Sequence, residues 1–161
     1  ERGIGSFFAE RYVEGRELNL SLLAEGSGVR VLPPAEMLFL EPARPRILCY
    51  RSKWDRESPE YALSRRSFDF DTRDLPLLDR LRELALRCWE LFGLNGYARV
   101  DFRVGPEGPQ ILEVNADPCI APDSGFIAAA DRGGVGYREL VERIVEHPAR
   151  PRRPAERPRR G

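Results

Sequence analysis

Lysine is nearly missing from this chain: Lys53 stands alone against 25 arginines, beside a single histidine and a single methionine. A lone His147 leaves few ways to build a histidine-based catalytic triad. The cysteines, Cys49, Cys88 and Cys119, are odd in number and widely spaced. That suits neither a disulfide framework nor a zinc knuckle, and it predicts buried free thiols. An excess of one charge is absent too, because 26 basic residues balance 26 acidic ones. Such a balance recruits neither nucleic acid nor a membrane surface. No apolar run reaches the ~18 residues that span a bilayer, and no basic-then-apolar leader opens the sequence, so a soluble cytoplasmic protein is expected.

What is present suits a core of one domain: 161 residues, 42% apolar and 32% charged. The first fifty residues read as strands broken by glycine and proline, in FFAERYV, ELNLSLLA, GVRVLPPAEMLFL and RILCYRSKW. Residues 55–72 are polar without a clear period and read as a long loop. A helix is predicted from Asp74 to Phe92, with Asp74 as cap, Pro76 in the first turn and Gly93 as terminator. Its apolar stripe is Leu77, Leu81, Leu84, Cys88 and Leu91. Shorter helices are predicted over residues 124–131 and 137–146. The end of the chain, residues 148–161, is rich in arginine and proline, cannot build a core and is expected to be disordered.

The stretch YARVDFRVGPEGPQILEVNADP carries the chemistry. Ala98, Val100, Phe102 and Val104 alternate with Tyr97, Arg99, Asp101 and Arg103, the two-residue period of a half-buried strand. Leu112 and Val114 alternate with Ile111, Glu113 and Asn115 in the next run. Pro106-Glu107-Gly108 fits a three-residue loop, with proline opening the turn and glycine taking the left-handed conformation. That loop sets Asp101 opposite Glu113 and Arg99 opposite Asn115; a loop of two or four residues would separate them. The core face is then Val100, Phe102, Leu112 and Val114. Like charges directly opposite destabilise a strand pair, so the two acids need a cation or an arginine. Two carboxylates and an amide oxygen are hard ligands of the kind magnesium takes when it also holds phosphates. The alternative is an exposed face in which Arg99 or Arg103 pairs with the acids. With no lysine nearby, the ligand-free acids are expected to repel each other.

These residues, ARVDFRV and then ILEVNADPCIAPDS, resemble the closing signature of the ATP-grasp enzymes, in particular the D-alanine–D-alanine ligase branch. There an R-x-D strand precedes an E-x-N strand and a P-x-x-x-x-x-S loop. Upstream, AERYVEGRELNLSLL looks like the hinge strand of that family, and RSKW stands where the family places a lysine before an aromatic residue. The resemblance implies an α+β fold, the ATP-grasp C-terminal domain, with an antiparallel sheet flanked by helices over residues 1–147. It implies ATP and two magnesium (or manganese) ions, held by Asp101, Glu113 and Asn115. By the same resemblance, Glu10 meets the adenine amino group, Tyr12 or Val13 backbone reads the ring edge, and Glu17 holds the ribose. Arg99 would stabilise an oxyanion, Lys53 would approach the transferred phosphoryl group or a substrate carboxylate, and Ser124 would bond the carboxylate of the incoming amino acid.

The implied activity is ATP-dependent carbon–nitrogen ligation through an acyl phosphate, with a small-molecule carboxylate and an amino-acid-like amine as partners. Two departures bear on the acceptor: Cys119 replaces the usual glycine after the loop proline, and Ala121 stands where threonine is common. Cys119 itself reads as a small filler, since nothing basic flanks it to lower its pKa. A ligase of this family also needs a first substrate domain and a glycine-rich loop over the phosphates, neither of which is visible here. A homodimer or a missing N-terminal half is the further partner expected. The rival readings are a nucleotide-binding or regulatory remnant without turnover and a non-enzymatic module that docks through its basic tail.

Overall fold

The computed structural model describes residues 9–40, 46–47, 57 and 62–146. The described residues form one antiparallel sheet and three α-helices: β1 (Arg16–Glu25), β2 (Gly28–Val31), β3 (Ala35–Phe39), β4 (Ser64–Ser67), α1 (Leu75–Leu91), β5 (Tyr97–Gly105), β6 (Gly108–Asn115), α2 (Gly125–Arg132) and α3 (Tyr137–Glu146). The spatial order is β4-β3-β1-β5-β6, with β2 also on β1. β1 is the central strand. One of its edges pairs with β5 from Arg16↔Val104 to Leu23↔Tyr97, while the other is shared by β3 at its start and β2 at its end. β2 and β3 are separate strands because Pro33 and Pro34, lying between them, have no N–H to give a ladder. Among the described residues no helix is long and apolar enough to cross a membrane.

Two-residue alternation sorts β1 and β5 into unlike faces. Leu18, Leu20, Leu22, Val100 and Phe102 point to one side and pack on Leu78, Leu81, Ala85 and Cys88 of α1. On the other side Leu23 joins Leu32, Phe126, Ile127, Ala129, Ala130, Val135 and Leu140 in a second core made by α2 and α3. That second core covers only one end of its face. The remainder is polar, and it holds the charged residues of the hairpin.

Arg16 fastens α1 to the sheet. Its guanidinium donates to Glu36 at 2.9 and 2.6 Å and to Asp74, at the entry to α1, at 2.6 and 3.2 Å. The hydrogen bond from Arg16 holds the Asp74 carboxyl below the usual carboxylate range. Asp74 is therefore a clamp and makes no side-chain cap bond to α1; in the 3-10 turn before it, Asp71 accepts from the Arg73 N–H at 2.9 Å and Asp74 accepts from the Asp71 N–H at 3.4 Å. Gly93 ends α1 as expected, with a positive φ of 57°. The buried stripe is Leu78, Leu81, Ala85 and Cys88, while Leu91 is 80% exposed. It thus departs from the predicted stripe because the sheet meets the helix along that line.

Other expectations needed correction. Residues 9–14 form no strand; Val13 and Glu14 instead lie against Gly105, at the end of β5. The supposed loop of residues 55–72 contains β4, which pairs with β3 from Glu36↔Ser67 to Phe39↔Ser64. Most of RILCYRSKW, including Cys49 and Lys53, lies outside the described residues, as does the tail of residues 148–161.

The hairpin reaches its expected pairing by a different route. Gly108 has the positive φ foreseen, 98°, yet it pairs with Gly105, leaving two residues in the turn. That shorter turn alone would have set Asp101 opposite Leu112. A bulge between Asp101 and Phe102 absorbs Leu112 and restores Asp101↔Glu113, Val100↔Val114 and Arg99↔Asn115. The extra residue leaves the core, so Leu112 is 52% exposed rather than buried with Val100 and Phe102. Substituting Leu112 by Asp is expected to change stability by no more than about 0.5 kcal/mol. Phe102→Ala should cost about 3–5 kcal/mol. Denaturant melts of the two variants check this, and a large loss for Leu112→Asp would place Leu112 back in the core.

Candidate active site

The strand ladder arranges the polar face in rows. Across β1 and β5, Glu17 faces Arg103, Asn19 faces Asp101 and Ser21 faces Arg99. Asp101 and Arg99 in turn face Glu113 and Asn115 on β6. Five polar pairs therefore share one surface, with positive and negative groups interleaved.

Arg99 answers the question of how Asp101 tolerates Glu113. Its Nε and Nη2 each donate to an Asp101 oxygen at 2.7 Å, a bidentate fork made by residues two apart on one strand. Burial would lower the Arg99 pKa, but the hydrogen bond and charge of Asp101, with Glu113 and Glu17 beyond, hold it above its ordinary value. The Asp101 charge is thus matched by Arg99, which relieves the expected repulsion from Glu113. Glu113 is exposed, and Asn115 Oδ1 accepts from the Asp117 N–H at 3.0 Å. Among the described residues no three His, Cys, Asp or Glu side chains gather closely enough to hold a metal by themselves. Asp101, Glu113 and Asn115 bring hard oxygens to adjoining ladder positions, a donor chemistry suited to magnesium, an ion that usually retains waters or phosphate oxygens.

Arg103, passed over by sequence reading except as a partner for the hairpin acids, organises the other end of the face. It is 5% exposed and pairs with Glu17 at 3.0 Å. It also donates to the carbonyls of Arg46 at 2.7 Å and Gly15 at 3.4 Å, and its guanidinium lies over the Tyr12 ring at 5.8 Å. The Tyr12 hydroxyl accepts from the Arg46 N–H at 3.2 Å. Glu17, Tyr12 and Val13 are thereby gathered near the start of β1, while Glu10 is exposed. A signal for Arg103 was available: it lies on the same alternating set as Arg99 and Asp101.

Tyr97 ties the third part together. Its hydroxyl donates to Asp117 at 2.5 Å, and its ring meets Phe126 of α2 edge-on at 5.4 Å. Burial first, and Asp117 second, push its pKa up to about 12. These contacts set the loop after β6 against α2, whose first turn Ser124 caps by accepting from the Ile127 N–H at 3.4 Å. Arg66, from β4, adds a cation there, since a side chain at Gly125 would meet its Nη2 at 3.3 Å. Cys88 is a buried free thiol as expected, whereas Cys119 is free but exposed.

The chain matches the family model described as D-ala D-ala ligase C-terminus over residues 5–146. It is 30% identical over 142 residues to a D-alanine–D-alanine ligase of Thermotoga sp. (strain RQ2), covering 88% of this chain and 44% of that protein. A ligase of the same name from Synechococcus sp. (strain JA-2-3B'a(2-13)) is 36% identical over 140 residues, covering 86% and 39%. The chain belongs to the D-ala D-ala ligase C-terminal family. The crystal structure of the Bacillus anthracis D-alanine–D-alanine ligase superposes with a TM-score of 0.64 at 25% identity, over 85% of this chain and 40% of that one. The VanG D-Ala:D-Ser ligase of Enterococcus faecalis shares the fold, with a TM-score of 0.60 at 17% identity over 84% and 36%. The α+β architecture is thus that of the ATP-grasp ligases, and the chain spans less than half the length of these relatives.

Two measurements check the site's supports. Removing Arg103 as Arg103→Met should break the buried ion pair with Glu17 and cost about 3 kcal/mol in denaturant melts. In an alkaline ultraviolet titration, one phenol should ionise near pH 12 rather than 10, and Tyr97→Phe should abolish that late component. Because the folded state holds this proton more tightly, Tyr97's contribution to stability is complete below about pH 10 and is lost as pH rises toward 12.

Proposed function

We propose that this chain is the nucleotide- and magnesium-binding part of an ATP-dependent carboxylate–amine ligase of the D-alanine–D-alanine ligase class. The observation that carries the reading is the Asp101↔Glu113 and Arg99↔Asn115 register on the polar face of the sheet, in a chain of this family. Asp101, Glu113 and Asn115 would hold the divalent ions, magnesium or manganese. Bound there, the metal supplies charge neutralisation for the phosphate oxygens of ATP.

Around that site the chain's own groups divide the remaining work. Glu10 accepts from the adenine amino group, backbone at Tyr12 or Val13 reads the ring edge, and Glu17, held in place by Arg103, takes the ribose hydroxyls. A substrate carboxylate attacks the γ-phosphorus of ATP, giving an acyl phosphate and ADP. An amine then adds to the acyl carbon, and phosphate leaves as the amine loses its proton. Arg99, a fixed and always charged donor, faces the oxyanion of that addition. Ser124 and the amide dipoles at the start of α2 receive the carboxylate of the amine substrate, and Lys53 serves the transferred phosphoryl group or a substrate carboxylate.

Magnesium-ATP should raise the melting temperature of this 161-residue chain, and Asp101→Asn should abolish the rise. ADP release by the chain alone is expected to stay well below the roughly 1 per second of ordinary enzymes, because no glycine-rich loop is visible in it. An unchanged melt with magnesium-ATP would count against nucleotide binding and favour a non-enzymatic module. Stabilisation without ADP release, once a substrate domain from a relative is supplied, would favour a remnant that binds but does not turn over.

A further inference from the structure

Two buried oxygens on β1 sit beside the Arg99–Asp101 pair. Ser21 is 0% exposed, and its Oγ finds no hydrogen-bond partner among the described residues; Asn19 Oδ1 is buried in the same condition. Buried polar atoms are nearly always satisfied in folded proteins, so each unsatisfied one calls for a reason. Packing supplies none. The strand is otherwise leucine-rich here, with Leu18, Leu20, Leu22 and Leu23 all 0% exposed, and alanine would fill the Ser21 position without an orphan oxygen. Asparagine is also a poor strand former. Local rules broken side by side are expected at functional positions.

The ladder identifies what these oxygens face. Asn19 lies opposite Asp101 and Ser21 opposite Arg99, on the same side of the sheet. In the ligand-free chain Arg99 spends its Nε and one Nη2 proton on Asp101. A carboxylate that turns its lone pairs to a divalent cation weakens both bonds, and the cation repels the guanidinium. The Arg99 side chain is only 20% exposed, so water is a poor replacement for the lost acceptor.

We propose that Asn19 and Ser21 are positioning residues for Arg99: as a divalent cation takes the Asp101 carboxylate, the guanidinium passes its donors to Asn19 Oδ1 and Ser21 Oγ. Arg99 then stays fixed above the face, with its remaining N–H groups open to an anionic part of the substrate. Metal entry and the readiness of Arg99 are coupled through the exchange. This inference rests on the reading of Asp101 as a metal ligand.

The test uses the 161-residue chain and manganese ion alone, with binding followed by calorimetry and ligand-free stability by thermal melts. Ser21→Ala and Asn19→Leu should melt at or above the parent without metal, since each removes an unsatisfied atom. Both should weaken manganese binding roughly tenfold, the size of one hydrogen bond to a charged group. In an Arg99→Met background, adding Ser21→Ala should change manganese affinity no further. Ser21→Ala, close to isosteric, carries the test should Asn19→Leu fail to fold. If both variants bind manganese like the parent while Asp101→Asn does not, Asp101 is a ligand and the positioning inference is wrong. If the two variants lower the metal-free melt and weaken binding equally with and without Arg99, their role is structural support and the inference is also wrong. If the parent binds no manganese, or Asp101→Asn binds it equally well, the metal reading fails and the inference falls with it.

Discussion

The antiparallel ladder between β1 and β5 constrains everything else in this molecule. Its pairing from Arg16↔Val104 to Leu23↔Tyr97 fixes eight residues against eight. Because side chains alternate at each step, the ladder sends Leu18, Leu20, Leu22, Val100 and Phe102 to one side and Glu17, Asn19, Ser21, Arg99, Asp101 and Arg103 to the other. A slip of one residue in either strand would bring the leucines of β1 opposite the charges of β5. Burial of the apolar side against α1 makes such a slip costly, so the core enforces the geometry of the polar side without touching it.

The polar side is workable because its charges are mixed at close range. Arg99 holds Asp101, and Arg103 holds Glu17, each from an alternate position on β5. Arginine suits both places. Its planar fork binds a carboxylate with two parallel bonds, stacks over Tyr12 and keeps its charge when buried. The near-exclusive use of arginine in this sequence thus has a local structural use at the site, whatever its wider origin. Glu113 lies across from an acid whose charge is already matched, and it can remain exposed and available.

Helix placement then decides how much of the polar side is covered. α1 takes the apolar side, while α2 and α3 close over Leu23 and Leu32 at one end of the other. Tyr97 spans the boundary: its ring belongs to the contact with Phe126, and its hydroxyl reaches Asp117 on the loop after β6. The acids, the arginines and α2 consequently lie on the same side of the sheet.

Periodicity and local chemistry carry the features legible in the sequence alone. Alternation in YARVDFRV marked the two faces of β5, glycine and proline marked the hairpin, and three- and four-residue spacing marked the helices. Asp101, Glu113, Arg99 and Asn115 were legible as a cluster for the same reason. Tertiary pairing settled the matters that local pattern does not encode. The turn and the bulge at Leu112 each shift the register by one, and their cancellation depends on the whole ladder rather than on either element. β4 shows no apolar alternation, because an edge strand can be held by backbone bonds to β3 alone. Arg103 and Glu17 are far apart in sequence, and only the pairing of β1 with β5 makes them a buried ion pair. Periodicity is a property of neighbouring residues along the chain, whereas ion-pair partners, bulges and orphan oxygens are set by which strand lies alongside.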